Sequence, residues 1–528
     1  MDLGGKSLIG FAEATGDGPK FTALDPATGT ALSGEFVKAT KDDVDRAAHL
    51  AVQASPVLAK LSGKDRAAML GAIAESIERS GEEIVQRAHR ETALTLDRLR
   101  GEVGRTTNQL RLFASVCEDG SWVDARIDTA QPERKPLPRP DLRSMLRHVG
   151  PVVVFGASNF PLAFSVAGGD TASAWAAGNP VLVKAHPAHP GTSELVGRTI
   201  VDALKGFGAP DGAFSLLFDD GVEVGRALVT HPAVRAVGFT GSRRGGRALM
   251  DLAAQRPEPI PVFAEMSSTN PLFILPGALR ERGEAIASGL VASFTLGVGQ
   301  FCTKPGLVFV DEGPQGDTFV ARIVEAAGKV NRGTLLTAAI AETYRSGVER
   351  RSGKVRLLAG GVAAPACGAD IAVFETESSN LTEELIDELF GPTVLIVRSR
   401  GMNDMLRFAV RMPGQLTATL HGTAADLRDA AELIDVLQTR VGRVLFNGFP
   451  TGVEVSHAMV HGGSYPATSD CRFTSVGTLS IRRFAKPVCF QNFPDEGLPD
   501  ELQDRNPLNI LRLVNGSPTR DAITRPTS

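Results

Sequence analysis

The spacing of apolar positions along this chain changes near residue 150. Upstream, they recur at helical spacing: Met69, Ile73 and Ile77 fall on every fourth residue and mark one buried face. Two helix starts stand close by. Thr40 with Asp43, and Ser62 with Asp65, each place a hydroxyl three residues before a carboxylate, a pairing that satisfies free N–H groups at a helix start. A further helix is predicted over 99–116. Residues 1 to about 38 read instead as short strands and turns, with a turn signal at Asp25-Pro26-Ala27-Thr28-Gly29. Residues 130–141 are rich in proline and charge, and proline removes backbone donors, so this stretch is predicted to be a linker or an extended arm.

Downstream, the pattern becomes one of short continuous apolar runs: Val152-Val153-Val154-Phe155, Val181-Leu182-Val183 and Ala236-Val237-Gly238-Phe239, then 272–275, 307–310 and 393–397. Such runs, separated by helical stretches, predict parallel sheets covered on both faces. Two α/β units in tandem, meeting near residue 265, suit the 528-residue length.

Composition changes this picture little. The chain is 43% apolar and 22% charged with a net charge of −4 and no basic block, which gives no sign of a nucleic-acid or membrane surface. No apolar run approaches the ~20 residues of a membrane helix, and the N-terminus lacks the basic-then-apolar layout of a signal peptide. The five cysteines form no C-x-x-C pair, so neither a disulfide scaffold nor a metal site is expected, and a reducing cytoplasm is.

Candidate chemistry clusters at predicted strand ends. Cys302 sits in Gly297-Val298-Gly299-Gln300-Phe301-Cys302-Thr303-Lys304-Pro305-Gly306, between glycines and beside a lysine. Exposure and a nearby cation favour a nucleophilic thiolate, although a lone cysteine also serves as inert packing. Gly238-Phe239-Thr240-Gly241-Ser242-Arg243-Arg244-Gly245-Gly246 joins a strand to a helix and can receive a pyrophosphate, or is an ordinary tight turn. Lys184 ends a strand where ribose or phosphate can bind, or is simply solvated. Asn159, in Ser158-Asn159-Phe160-Pro161, is an oxyanion donor or a turn residue. Glu265 and Glu388 stand among apolar neighbours, which raises a carboxyl pKa and suits a general base; a surface position is the alternative for each.

Taken together and in order, these motifs resemble the aldehyde dehydrogenase superfamily over nearly the whole chain. The matching segments are Ser158-Asn159-Phe160-Pro161, Val183-Lys184, Phe239-Thr240-Gly241-Ser242, Gln300-Phe301-Cys302-Thr303 and Glu388-Leu389-Phe390-Gly391-Pro392. The resemblance implies two tandem doubly wound parallel-sheet domains plus a small β oligomerisation arm. Its divisions are 1–138 and 159–264 for dinucleotide binding, 265–470 for catalysis, 139–158 and 471–490 for the arm, and 491–528 as a C-terminal tail. It implies a homodimer or homotetramer, with a strand at Thr478-Leu479-Ser480-Ile481. It makes Cys302 the nucleophile, Asn159 the oxyanion donor and Glu265 the base for hydrolytic water. Lys184, Glu388 and Phe390 become cofactor ligands, with Gly241, Ser242 and Gly246 near the pyrophosphate.

The closer resemblance is to the bacterial 2,5-dioxovalerate (α-ketoglutarate semialdehyde) branch and related NADP-using fatty aldehyde dehydrogenases. It is carried by Gly104-Arg105-Thr106-Thr107, His186-Pro187-Ala188-His189-Pro190-Gly191-Thr192-Ser193, and the run from Phe449 through His461-Gly462-Gly463 to Gly477. That branch adds His461 to the site and leaves His457 structural. The chain departs from the superfamily at Met266-Ser267-Ser268, where Leu-Gly-Gly is usual; the residues stay small enough for a cofactor. Pro187 stands where NAD-specific members carry a glutamate three residues after the lysine, which permits NADP and favours it over NAD. Arg105 aligns with a tunnel position and suits a substrate carboxylate, unless it pairs with Glu102; Arg472 is a second candidate cation and Phe160 a tunnel wall. The implied reaction is oxidation of 2,5-dioxopentanoate to 2-oxoglutarate, with a fatty aldehyde as the alternative substrate. Two other readings remain: a cysteine hydrolase built on Cys302, His461 and Asn447, and a non-catalytic dinucleotide-binding protein.

Overall fold

The computed structural model describes residues 3–361 and 366–524, so the extreme ends of the first and last predicted segments, 1–2 and 525–528, lie outside the described residues. Both predicted helix starts are present. Thr40 and Asp43 form a reciprocal capping box at the head of Lys41–Lys60. Ser62 makes one half of the device at Gly63–Arg79: its hydroxyl accepts from the Asp65 N–H, while the Asp65 carboxylate accepts from that hydroxyl and not from the Ser62 backbone. Met69, Ile73 and Ile77 are buried, as their spacing predicts. The helix predicted over 99–116 runs longer than its apolar pattern, over Leu96–Asp119, capped by Thr95 and stopped by Gly120 at φ +71°.

Two seven-stranded sheets carry the molecule. In the first, Val262–Glu265, Ala236–Thr240, Val152–Phe155, Val181–Lys184 and Phe214–Leu217 run parallel in that order, with two short antiparallel strands beyond. In the second, Ala372–Glu377, Thr393–Ser399, Leu307–Asp311, Leu272–Ile274, Gln415–His421 and Val441–Phe446 run parallel in spatial order, and Arg356–Gly360 closes one edge antiparallel. The central runs are buried on both faces, which is why they read as continuous apolar stretches without alternation. The first sheet ends on Glu265, and the chain then passes directly into the second, so the carboxyl ends of several strands face one cleft.

A third, five-stranded sheet pairs Leu142–His148 with Ala485–Gln491 on one side and Arg126–Asp128 on the other, and residues from the C-terminal segment add Arg512–Val514 and Ser517–Thr519. The strand predicted at 478–481 is not there. Thr478–Phe484 is a 3-10 helix entered through Gly477 at φ +90°, with Thr478, Ser480 and Ile481 buried, and the strand begins only at Ala485. Arg143, fully buried in this sheet, bonds Asp141, Asp504 and the Leu502 carbonyl, tying the C-terminal segment down. Among the described residues no helix is long and apolar enough to cross a membrane.

Candidate active site

Cys302 follows an unusual turn. Gly297, Val298 and Gly299 all lie in the left-handed region, at φ +56°, +59° and +68°, where a β-branched residue such as valine is strained. Close approach explains it. A Cβ on Gly299 would lie 2.2 Å from the Gly391 carbonyl oxygen, and one on Gly333 would lie 2.5 Å from the Val298 side chain. These glycines therefore hold a fixed, tightly packed turn. Asn270, itself at φ +48°, locks the other side: its amide donates to the carbonyls of Cys302 (2.8 Å) and Lys304 (2.9 Å).

The thiol opens on a cavity of about 310 Å3, whose wall includes Asn159, Gly241, Ser242, Glu265, Glu388 and Phe390. Behind it stands a hydrogen-bonded set. The Cys302 sulfur is 3.5 Å from His461 Nε2, and Nε2 is 2.8 Å from Glu265 Oε1. Ser475 donates to the other carboxylate oxygen at 2.6 Å. Glu265 and His461 are almost completely buried.

The electrostatics differ from the sequence reading in two places. Burial works to raise the Glu265 carboxyl, but His461, Ser475 and Cys302 outweigh it and hold the group below its ordinary value. The neighbours that matter are 196 and 210 residues away in the chain, not the apolar residues beside it. Lys304 does not serve the thiol: its ammonium is buried and donates to the carbonyls of Leu389 and Thr393, at 3.1 and 2.9 Å. Burial pushes the Cys302 thiol well above its ordinary value, the Glu265 and Glu388 carboxylates push the same way, and Arg105 opposes them. Glu388 does follow the sequence reading, raised by burial against the opposing charge of Lys304.

Asn159 is buried with its amide donating to the Gln300 carbonyl at 2.9 Å, which fixes the side chain beside the cysteine segment. Its own carbonyl is held by Arg98, whose guanidinium lies 4.5 Å from the Phe160 ring centroid and 4.6 Å from that of Phe301. Phe160 is buried edge-on to Phe301 and Phe164. Sequence reasoning missed Arg98, Asn270 and Ser475, since each acts through a backbone carbonyl or a distant carboxylate and belongs to no local pattern.

On the dinucleotide side, Ser242 caps the helix Arg243–Ala254 by accepting from the Gly245 N–H, and Gly241 and Ser242 face the cavity. Gly246 does not line that cavity: a Cβ there would lie 2.6 Å from the Met266 sulfur, so it lets the helix pack on the strand below. Lys184 ends its strand buried, donates to the Asp219 carbonyl at 2.7 Å, and is lowered by burial to about 8. The donor set of a capped helix start, strand-end hydroxyls, a lysine and a glutamate suits a dinucleotide's phosphates and ribose hydroxyls.

Of the substrate candidates, Arg105 is brought in and Arg472 is not. Arg472 is exposed on the surface and paired with Asp470. Arg105 is largely buried, its Nε and Nη2 have no hydrogen-bond partner among the described residues, and its guanidinium lies over Phe164 at 5.3 Å. The alternative pairing with Glu102 is not made by contact. That carboxylate accepts from the N–H groups of Leu162 (2.9 Å) and Ala163 (3.0 Å), with Arg98 at 3.7 Å. Asn447, the third member of the hydrolase reading, bonds Arg282 and Gly422 and no member of the Cys302 set. His457 is exposed.

Comparison with known proteins decides the family. Residues 12–466 match the aldehyde dehydrogenase family. The chain belongs to that family. It is 52% identical over 522 residues, 98% of this chain and 99% of the relative, to α-ketoglutaric semialdehyde dehydrogenase 2 of Azospirillum brasilense. It is 46% identical over 523 residues, again 98% and 99%, to α-ketoglutaric semialdehyde dehydrogenase of Acinetobacter baylyi. Among solved structures, the γ-glutamyl-γ-aminobutyraldehyde dehydrogenase of Burkholderia cenocepacia superposes with a TM-score of 0.81 at 21% identity, covering 93% of this chain and 97% of that one. The two tandem α/β units are thus those of an aldehyde dehydrogenase, an enzyme that oxidises an aldehyde to the acid with NAD(P).

Proposed function

We propose that this aldehyde dehydrogenase oxidises 2,5-dioxopentanoate (α-ketoglutarate semialdehyde) to 2-oxoglutarate, with NADP preferred to NAD. The observation that carries the substrate is Arg105: a buried guanidinium with unpaired N–H groups, close enough for its charge to act on the Cys302 thiol. A buried cation without a partner is costly, and a substrate carboxylate supplies the missing acceptor. The two semialdehyde dehydrogenase relatives, by what they are named for, support the same choice. Pro187, in place of a carboxylate that would repel a 2′-phosphate, supports NADP.

In this reading Cys302 attacks the aldehyde carbon and its proton passes to the Glu265–His461 pair beside it. The oxyanion is received by the Asn159 amide hydrogen not given to Gln300, and by the Cys302 N–H. The residues that would hold the dinucleotide are Lys184, Gly241, Ser242, Glu388 and Phe390, and its nicotinamide supplies the hydride acceptor when bound. Once the pair has passed the thiol proton to solvent, Glu265, ionised, takes a proton from the water that hydrolyses the Cys302 thioester. Five free cysteines suit a cytoplasmic enzyme. The open edge of Ala485–Gln491 suits assembly into a dimer or tetramer.

The test is an initial-rate panel of 2,5-dioxopentanoate, succinate semialdehyde and hexanal, each with NAD and NADP. The reading requires the highest kcat/KM for 2,5-dioxopentanoate with NADP. A preference for hexanal would turn it to the fatty aldehyde branch.

The charge balance at Glu265 makes a second expectation. With His461→Phe, burial dominates and the carboxyl rises. Because the base must be ionised, the acid limb of the kcat profile is expected to move to higher pH by about 1–2 units. A limb that stays in place would assign water activation to another group.

A further inference from the structure

Cys302, His461 and Glu265 come from three separate segments, and their ligand-type atoms all lie within 4.8 Å of one another. A thiolate, an imidazole nitrogen and a carboxylate oxygen are three ligand types that zinc takes at about 2.0–2.3 Å, and tetrahedral geometry then sets those atoms roughly 3.3–3.6 Å apart. The Cys302 sulfur and His461 Nε2, at 3.5 Å, already meet that spacing. His461 Nε2 and Glu265 Oε1, at 2.8 Å, need only a small opening as their hydrogen bond gives way to the ion.

The surroundings are also those of a metal site. Ser475 donates to Glu265 Oε2 at 2.6 Å and leaves Oε1 to ligate. The His461 backbone N–H is fixed by the Thr474 hydroxyl at 2.8 Å. His461 Nδ1 is buried without a partner among the described residues, and a cavity of about 20 Å3 lined by His461, Glu265 and Ser475 has room for one water to accept a hydrogen bond from it. Cys302 and Glu265 also line the larger cavity, which leaves a fourth position open to water.

We propose that these three side chains form a reversible Zn2+ site, and that its occupation silences the enzyme by turning the nucleophile into a ligand. On binding, the hydrated ion gives up all but one of its waters and takes Sγ, Nε2 and Oε1 in their place. The thiol proton goes to solvent, Nε2 gives up the proton it shares with Glu265 so that the neutral ring carries its one proton on Nδ1, and nothing is oxidised or reduced. The site rests on side-chain geometry alone. The silencing rests on Cys302 being the nucleophile, as read above, so binding and rate are measured separately.

Binding is measured with Co2+ as the optical probe on the full-length protein without cofactor, following the thiolate-to-cobalt band in the near ultraviolet and its displacement by Zn2+. One ion per chain is expected. The band is expected to be absent in Cys302→Ser and the affinity roughly tenfold or more weaker in His461→Asn. The Cys471→Ser/Cys489→Ser double variant, which removes the two exposed thiols, is expected to keep it. In rate assays Zn2+ inhibits, Mg2+ does not, and a chelator restores activity. A band that persists in Cys302→Ser, or vanishes in the double variant, overturns the site. Binding that leaves the rate unchanged overturns the silencing and the nucleophile assignment, but not the site.

Discussion

Cys302→Ala is expected to abolish aldehyde-dependent NAD(P)H formation, a loss of at least about ten-thousand-fold in kcat, because removing a covalent nucleophile deletes the step the other groups serve. Cofactor affinity is expected to survive. The proposed phosphate and ribose contacts come from Lys184, Ser242 and Glu388, and a half-buried sulfur can be lost without disturbing the turn that Asn270 and Gly391 hold. Fluorescence titration with NADP alongside steady-state assays separates the two effects. Oxidation that continues in the variant would move the covalent step off this residue. Loss of dinucleotide binding along with the rate would make Cys302 a packing group. The same assay disposes of the hydrolase reading, which requires ester or amide cleavage without a nicotinamide.

Legibility in the sequence followed the range of the interaction that decided each feature. Buried parallel strands such as Val152–Phe155 and Thr393–Ser399 were readable because burial on both faces imposes a continuous apolar run. The cap at Thr40 was readable because both partners lie within three residues. Residues 478–481 have strand-like composition, yet their burial next to the helix Gly169–Ala176 and the left-handed Gly477 impose a 3-10 turn, a tertiary override of local preference. Glu265 shows the same limit in electrostatics. Its sequence neighbours suggested a raised carboxyl, but His461 and Ser475, brought in by the fold, reverse the direction. Lys304 is two residues from Cys302 and still serves other partners, since proximity along a turn does not set the direction of a side chain.

Arg105→Leu is expected to lower kcat/KM for 2,5-dioxopentanoate by about 2–4 kcal/mol relative to hexanal, or roughly 30- to 1000-fold in selectivity. Burial is what makes the effect large. The guanidinium lies among Phe160 and Phe164, where a charge pair is screened little. The variant is expected to fold as well as the parent, because leucine removes an unpaired buried cation and keeps apolar contact with the rings. Arg105→Lys restores charge without the planar fork, so it is expected to recover only part of the selectivity. Should both aldehydes lose rate equally in Arg105→Leu, the arginine supports the fold of the tunnel and does not read the carboxylate. Arg105 differs in this from Arg98, two turns earlier on the same helix, whose guanidinium is held by the Asn159 carbonyl: its Nε and Nη2 are bonded by none of the described residues and stay free to meet a substrate carboxylate.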